Sequence, residues 1–406
     1  MLQVTTASHL TTPRITRPDP LPIGWGVLMT GAAWLISRLV VAARWAPARD
    51  PFTFTTSLWA RWDTYNYGSI TQFGRTFGSC HRPPFAALPN PSGATWCGTA
   101  GWLPGWPWMI RVAQTMGASI PDAGLVLSWA ALGATVFLVW FGWCRMLHPV
   151  RALLVMVGVG VFPGAVYNFA LFPTSVALAA TTAAILVATR ERFLIAAALM
   201  TVAGLCYPSA WFAAMGLAAA MLVGGLALGV RQAIRRGLWG IAGLSSLVIL
   251  ALHDQAAFGH FNAYVLVDTG PGLDATGFPG SSLARLVIGR ATPEQRPLGR
   301  VAANALALQA LLAVLVAVGA AVAGAWRWAR SQAVDELYPG AVGLFVVVGI
   351  AILGANGGAW NRSVVLAAPC MVCLRRLPIG LLLVVVGALG VVTAVVSKSF
   401  FAGTLV

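Results

Sequence analysis

The sequence predicts an all-α polytopic membrane protein, a bundle of about eleven transmembrane helices with two long outer loops. Three observations carry this. Charged residues make up 9% of the 406, whereas soluble domains carry about a quarter. Hydrophobic residues make up 58%, and mean hydropathy is +0.80. The apolar runs are continuous, where a membrane β-barrel would alternate, and they recur along the whole chain.

Residues 1–22 are polar, hold Arg14 and Arg17, and lack the apolar stretch and cleavage site of a secretory leader. They read as a cytoplasmic tail ahead of one transmembrane domain, 23–406. Apolar spans are expected at 23–43, 123–143, 152–168, 172–189, 193–206, 208–229, 238–256, 301–325, 338–354, 363–374 and 379–397. Two of these, 193–206 and 363–374, are short and would need flanking residues or a locally thinned bilayer.

Arginine in short loops sets orientation. With the N-terminus inside, the inner connections 145–151, 190–192, 231–236, 327–330 and 375–376 each carry at least two Arg. The short outer turns at Tyr167-Asn168, Tyr207-Pro208 and 356–362 carry one basic residue between them, Arg362. This assignment requires 101–117 not to span. With Pro104, Pro107, Arg111 and three Trp, it reads as a helix lying at the outer surface. The long outer loops are then 44–122 and 257–300, and long loops in compact proteins are usually functional.

The net charge of +15 comes from 25 Arg and one Lys. Scattered through short loops, these arginines serve topology and anionic membrane lipids rather than nucleic acid. Arg over Lys, with abundant Ala and Gly, is the composition of a GC-rich, actinobacterial type of genome. Cys80 and Cys97 share the first outer loop. They form a disulfide if that loop faces an oxidising compartment, and stay as free thiols otherwise. Cys370-x-x-Cys373, Cys144 and Cys206 read as small core residues.

Of the acids on the outer side, Asp50 and Asp122 adjoin Pro and look like turn or cap residues. Asp274 and Glu294 lie in Gly/Pro-rich stretches, and Asp254 and Asp268 have no distinctive neighbours. Asp63 differs, with Trp59, Trp62, Tyr65 and Tyr67 close by and Arg61 two residues before it. Aromatic burial raises a carboxylate pKa and a nearby Arg lowers it, the control a general base needs. A salt-bridged helix cap is the other reading of this acid. Arg362 is the second anchor, since a lone outer Arg opening a span suits a lipid phosphate. Snorkelling explains it equally. His81-Arg82, Tyr167-Asn168, Tyr207 and the stretch from Phe258 through His260 to Tyr264 face the same side. Aromatics with Asn and His suit a sugar, whose ring stacks while its hydroxyls hydrogen-bond. Candidates for sugar contact are Trp62, Tyr65, Asn66, Tyr167, Asn168, Tyr207, His260, Trp360 and Asn361. No phosphate-binding glycine loop, H-E-x-x-H or D-x-D pair appears, so no metal or other cofactor is expected.

At these residues the chain resembles the membrane-embedded GT-C glycosyltransferases, and within them the PIG-V type, the family of the second GPI mannosyltransferase, in a bacterial form. Arg61-Trp62-Asp63-Thr64 resembles the family's R-W-D-[ST]. Leu103-Pro104-Gly-Trp-Pro107 is similar to its P-x-x-P stretch, Phe258-Gly-His260-Phe to a later loop, and Trp360-Asn361-Arg362 to its late W-x-R. The resemblance implies a GT-C-like bundle and an inverting transfer of a hexose, mannose first, from a polyprenyl-phosphate donor. The acceptor would be a lipid, lipoglycan or protein on the outer face of the plasma membrane. It implies Asp63 as catalytic base, and Arg362 with Arg61 or with His81 and Arg82 on the donor phosphate. Three alternatives stand beside it: a GT-C arabinofuranosyltransferase using decaprenyl-phosphate arabinose, a transporter or lipid flippase, and a structural or scaffolding membrane protein, which would need neither Asp63 nor Arg362. Arg38, the main ionisable residue placed inside a span, is the weak mark of a polar path.

Overall fold

The computed structural model describes residues 21–45, 56–61, 63–84, 95–268, 299–353 and 357–403. Trp62, Asp50, Asp274, Glu294 and nearly all of the expected tail lie outside these residues, as does most of the expected second loop. The described chain is helical apart from one two-stranded hairpin. Six helices are long and apolar enough to cross a membrane, and five shorter apolar helices accompany them. The chain is an all-α integral membrane protein.

Helix α1 (Ile23–Ala42) leads into the first expected loop, which is itself folded. It holds α2 (Thr56–Trp59), α3 (Asp63–Phe73), strands β1 (Gly78–Ser79) and β2 (Trp96–Cys97), and α4 (Gly105–Thr115). The strands are antiparallel, with Gly78 opposite Cys97. Cys80 and Cys97 are disulfide-bonded. The eleven residues of α4 rise about 16 Å, roughly half the thickness of a bilayer core. Its buried side, with Trp106 and Ile110, packs on α3 and on α5 (Ile120–Val139).

Beyond α5 the helix winds on as a π turn, Trp140–Cys144. The segment expected as one span over 152–168 is broken. Helix α6 (Pro149–Gly160) stops, the chain turns through Phe162-Pro163-Gly164, and α7 (Ala165–Phe169) follows. Proline disfavours helical backbone at the preceding residue, and Gly164 is left-handed at φ 85°, a conformation costly to other residues. Helices α8 (Thr174–Thr189), α9 (Phe193–Cys206) and α10 (Ser209–Gly225) come next. The stretch 231–236, expected as a connection, is helical within α11 (Val230–Ala242), which buries Arg236 against Glu191. After a break at Gly243-Leu244 come α12 (Ser245–Phe258) and α13 (Ala263–Asp268).

Helices α14 (Gly299–Ser331), α15 (Leu337–Leu353), α16 (Gly357–Val364) and α17 (Ile379–Phe401) complete the chain. Between the last two runs a 3-10 segment, Val365–Leu374, whose residues Val365 to Cys373 are all buried. Pro369 lies inside it, lacking an N–H and clashing with an α-helical carbonyl. At about 2.0 Å per residue, ten residues reach about 20 Å. The segment is the hub of the bundle, with α6, α8, α10, α14 and α15 packed around it.

The bundle has two distinct ends. Near the C-terminus of α5, Trp143 Nε1 donates to Asp335 O at 2.9 Å. There Glu336, 3% exposed, pairs with Arg327, with Arg375 at 3.0 Å and with Arg376 at 3.4 Å. The candidate site lies at the other end.

Candidate functional site

Asp63 opens α3, where a carboxylate suits the positive end of the helix dipole. The loop before it is pinned from three directions. Arg61 N–H donates to Thr64 Oγ1 at 3.2 Å, and the Thr64 hydroxyl donates to Leu171 O at 3.4 Å. Leu171 N–H donates in turn to Trp59 O at 3.2 Å. The Trp59 ring is fully buried, with Phe401 5.1 Å away and the Arg38 guanidinium 4.1 Å over its face. Arg38 thus packs in an aromatic cage under the site.

The Asp63 carboxylate is ion-paired with Arg362 of α16, 299 residues away in sequence. Each side chain is about a fifth to a quarter exposed, 21% and 25%, so water and ligands can reach both. Tyr67, Tyr167 and Tyr207 lie near enough to act electrostatically on Arg362, and Tyr264 acts on Tyr67. Three of the chain's six tyrosines therefore lie about one ion pair, with Tyr264 beyond Tyr67. Burial first, and the Asp63 carboxylate second, push the Tyr67 phenol well above its ordinary range. It stays a neutral hydroxyl donor at any working pH. Tyr207 OH lies 3.4 Å from Ser363 Oγ.

Beside the pair stand buried polar groups without partners among the described residues. Both amide atoms of Asn168 and of Asn361, the Tyr167 hydroxyl and Trp360 Nε1 are of this kind. Buried amides without partners are costly, and at 0% and 2% exposure Asn168 and Asn361 are closed to solvent. Gly164 links the two segments that carry them. A Cβ on it would overlap the Asn361 carbonyl oxygen. Gly164→Ala therefore adds about 1–2 kcal/mol of left-handed strain and displaces Asn361-Arg362. We expect any activity of this site to fall up to about 10²-fold, the penalty of an ångström-scale misplacement, while the protein still inserts and purifies. Kinetics on the purified variant check this, and wild-type turnover would show that the Gly164–Asn361 contact does not position the site.

The structure does not bring every predicted residue together. Arg61 donates Nη1 to the carbonyls of Ser57 at 2.6 Å and Ala60 at 2.9 Å and Nη2 to Phe401 O at 3.2 Å, tying α2 to the end of α17, while its Nε has no partner among the described residues. His81 and Arg82 are exposed on the hairpin side and make no ion pair with Asp63. Tyr65 points outward at 71% exposure, while Asn66 is part-buried on the first turn of α3. His260 belongs to an aromatic stack with Phe77 and Trp96, at 5.2 Å from each, which docks the hairpin on the end of α12. Trp62 lies outside the described residues.

Two features escaped the sequence reading as site components. Tyr67 is four residues after Asp63 and so shares its helix face, a spacing that could have flagged it. Asp254, fully buried, pairs with Arg75, accepts from Tyr264 N–H at 3.1 Å and lies 3.2 Å from His253 Nδ1. A charge within an apolar stretch is a functional mark by default, and that signal was present. Among the described residues no three His, Cys, Asp or Glu side chains group as a metal site.

The chain matches no family model, no curated protein and no solved structure.

Proposed function

We propose that the protein is an inverting glycosyltransferase that moves a hexose, mannose first, from a polyprenyl-phosphate donor to a hydroxyl of a lipid, lipoglycan or protein acceptor. The observation that carries this reading is the part-exposed Asp63–Arg362 pair with Tyr67, Tyr167 and Tyr207 about it. Such a set offers one base, one phosphate-binding fork and several groups for hydroxyls. In this reading the eleven apolar segments cross the membrane, and the site faces the outer leaflet of the plasma membrane.

The chemistry follows from the pair. Arg362 is suited to bidentate phosphate binding, so an arriving donor phosphate competes for the guanidinium and releases the Asp63 carboxylate. Asp63 takes the proton of the acceptor hydroxyl as its oxygen bonds to the anomeric carbon. The bond from that carbon to the phosphate oxygen breaks on the opposite face, and polyprenyl phosphate leaves with the electron pair. Arg362 meets the charge that develops there. One displacement turns a β-linked phospho-sugar into an α-glycoside.

The test is transfer in membranes containing the wild-type protein from radiolabelled polyprenyl-phosphate mannose, set against decaprenyl-phosphate arabinose. Label moving from the mannose donor into a product carrying an α-linkage supports the proposal. Label moving only from the arabinose donor replaces the sugar. The same membranes giving no transfer from either donor, with an envelope extract supplying acceptors, would end the enzyme reading.

A further inference from the structure

A second constellation lies at the opposite end of α3 from Asp63, and the transfer site does not use it. A cavity of ≈ 80 Å³ is lined by Arg75, Arg111, His253, Trp108, Pro104 and Pro107. A water's share of liquid volume is about 30 Å³, so there is room for a group of several heavy atoms.

The polar side chains of this lining offer donors. Arg111 gives Nε to Thr71 O at 2.7 Å and Nη2 to Ile70 O at 3.0 Å, which leaves Nη1. Arg75 is held by Asp254 and by the Ala100 carbonyl, and its Nε is buried without a partner. The Arg75 side chain is 3% exposed, so water does not serve that nitrogen. His253 Nδ1 lies 3.2 Å from both Asp254 Oδ1 and Arg75 Nη1; in the tautomer in which Nδ1 accepts from Arg75, Nε2 carries the proton and is a donor. The indole of Trp108 is a donor only, and guanidinium groups accept no hydrogen bonds.

Charge points the same way. The Asp254 carboxylate matches Arg75, whereas Arg111 has no carboxylate in ion-pair range among the described residues. The carbonyl end of α3 contributes about half a negative charge, less than Arg111 carries. A small, donor-lined cavity with a positive excess takes an acceptor-rich anion, and guanidinium groups match phosphate geometry. We propose that this cavity binds a phosphate-bearing group. Resting on the transfer reading, it is the subsite for the phosphate of an acceptor lipid headgroup. Asp63 and Phe73, the two ends of α3, are about 15 Å apart along the helix. An acceptor anchored here presents to Asp63 a hydroxyl about that far from its phosphate, so lipids with extended headgroups are the class selected.

Native mass spectrometry on the full-length protein in detergent tests this without reading transfer. The probes are phosphatidylglycerol, diacylglycerol with the same chains, and inorganic phosphate. Phosphatidylglycerol should bind at least about tenfold tighter than diacylglycerol, and Arg111→Gln and His253→Gln should each cut its affinity about tenfold, the scale of a charge-assisted contact. Arg231→Gln, which alters an exposed arginine outside the cavity, should keep wild-type affinity. Inorganic phosphate displacing the lipid at equal occupancy would keep the site and assign it to a free anion. Equal binding of the two lipids overturns the proposal, as does a loss in Arg231→Gln matching that in the cavity variants. Should Arg111→Gln not fold, because it also caps α3, unchanged affinity in folded His253→Gln overturns it alone. A failed transfer assay leaves this result standing, and a failure here leaves the transfer reading standing.

Discussion

On the proposed transfer reading, Asp63→Asn is expected to lower sugar transfer by about 10²–10⁴-fold, the range that positioned acid–base groups supply, and to leave the fold intact. The amide has the shape of the carboxylate and can still accept from Arg362 through its oxygen. It cannot take a proton from the acceptor hydroxyl at neutral pH. The side chain is 21% exposed, so losing its charge costs little in stability compared with a buried pair. Turnover, donor affinity and thermal unfolding measured on the same preparation separate the roles. Turnover should collapse while donor affinity holds or improves, because Arg362 no longer has an anionic competitor for the phosphate. Turnover within roughly tenfold of wild type would remove Asp63 as base.

Glu336→Ala destabilises the protein by about 3–5 kcal/mol, the cost of stranding buried charge by removing its partner. Glu336 is the one carboxylate paired with Arg327, Arg375 and Arg376 among the described residues. Arg327 and Arg375 are 18% and 11% exposed, so neither is well served by solvent, while Arg376 at 65% exposure is. Removing the acid leaves cations facing one another where the ends of α14, α15 and the 3-10 hub meet. The fraction of monomer surviving a heating series would show the loss. Replacing Arg375 by Met in the same background should recover part of it, since the stranded charge is then gone. A Glu336→Ala protein as heat-resistant as wild type would mean that the three arginines are satisfied by other groups, such as the Cys373 carbonyl that Arg327 already contacts at 3.3 Å.

Much of the membrane architecture was legible in composition and in the spacing of apolar runs, because every backbone group in lipid must be satisfied within its own helix. Breaks were harder to read. The turn at Gly164 depends on one Pro-Gly step inside an apolar run, and the 3-10 hub on protein packing around Pro369. Asp63 and Arg362 were each visible as misfits, an acid among aromatics and an Arg in an otherwise uncharged turn. Their partnership was not visible, because no local pattern connects residues 299 apart. The long-range partner of Arg61 was hidden for the same reason. The neighbours of Arg61 in sequence suggested a phosphate ligand, while the carbonyls it donates to include Phe401 O near the end of the chain.

By itself the sequence determined that this chain lives in a membrane as helices and that its ionisable groups are few enough to single out. Hydropathy and helix periodicity are local properties, written within about twenty residues. Only the tertiary structure decided that Asp63 meets Arg362 among three tyrosines, that Asp254 is bound to Arg75, and that Glu336 holds three arginines. Those are long-range contacts, fixed by which helices pack side by side, and charge pairs of this kind leave no periodic trace in the sequence.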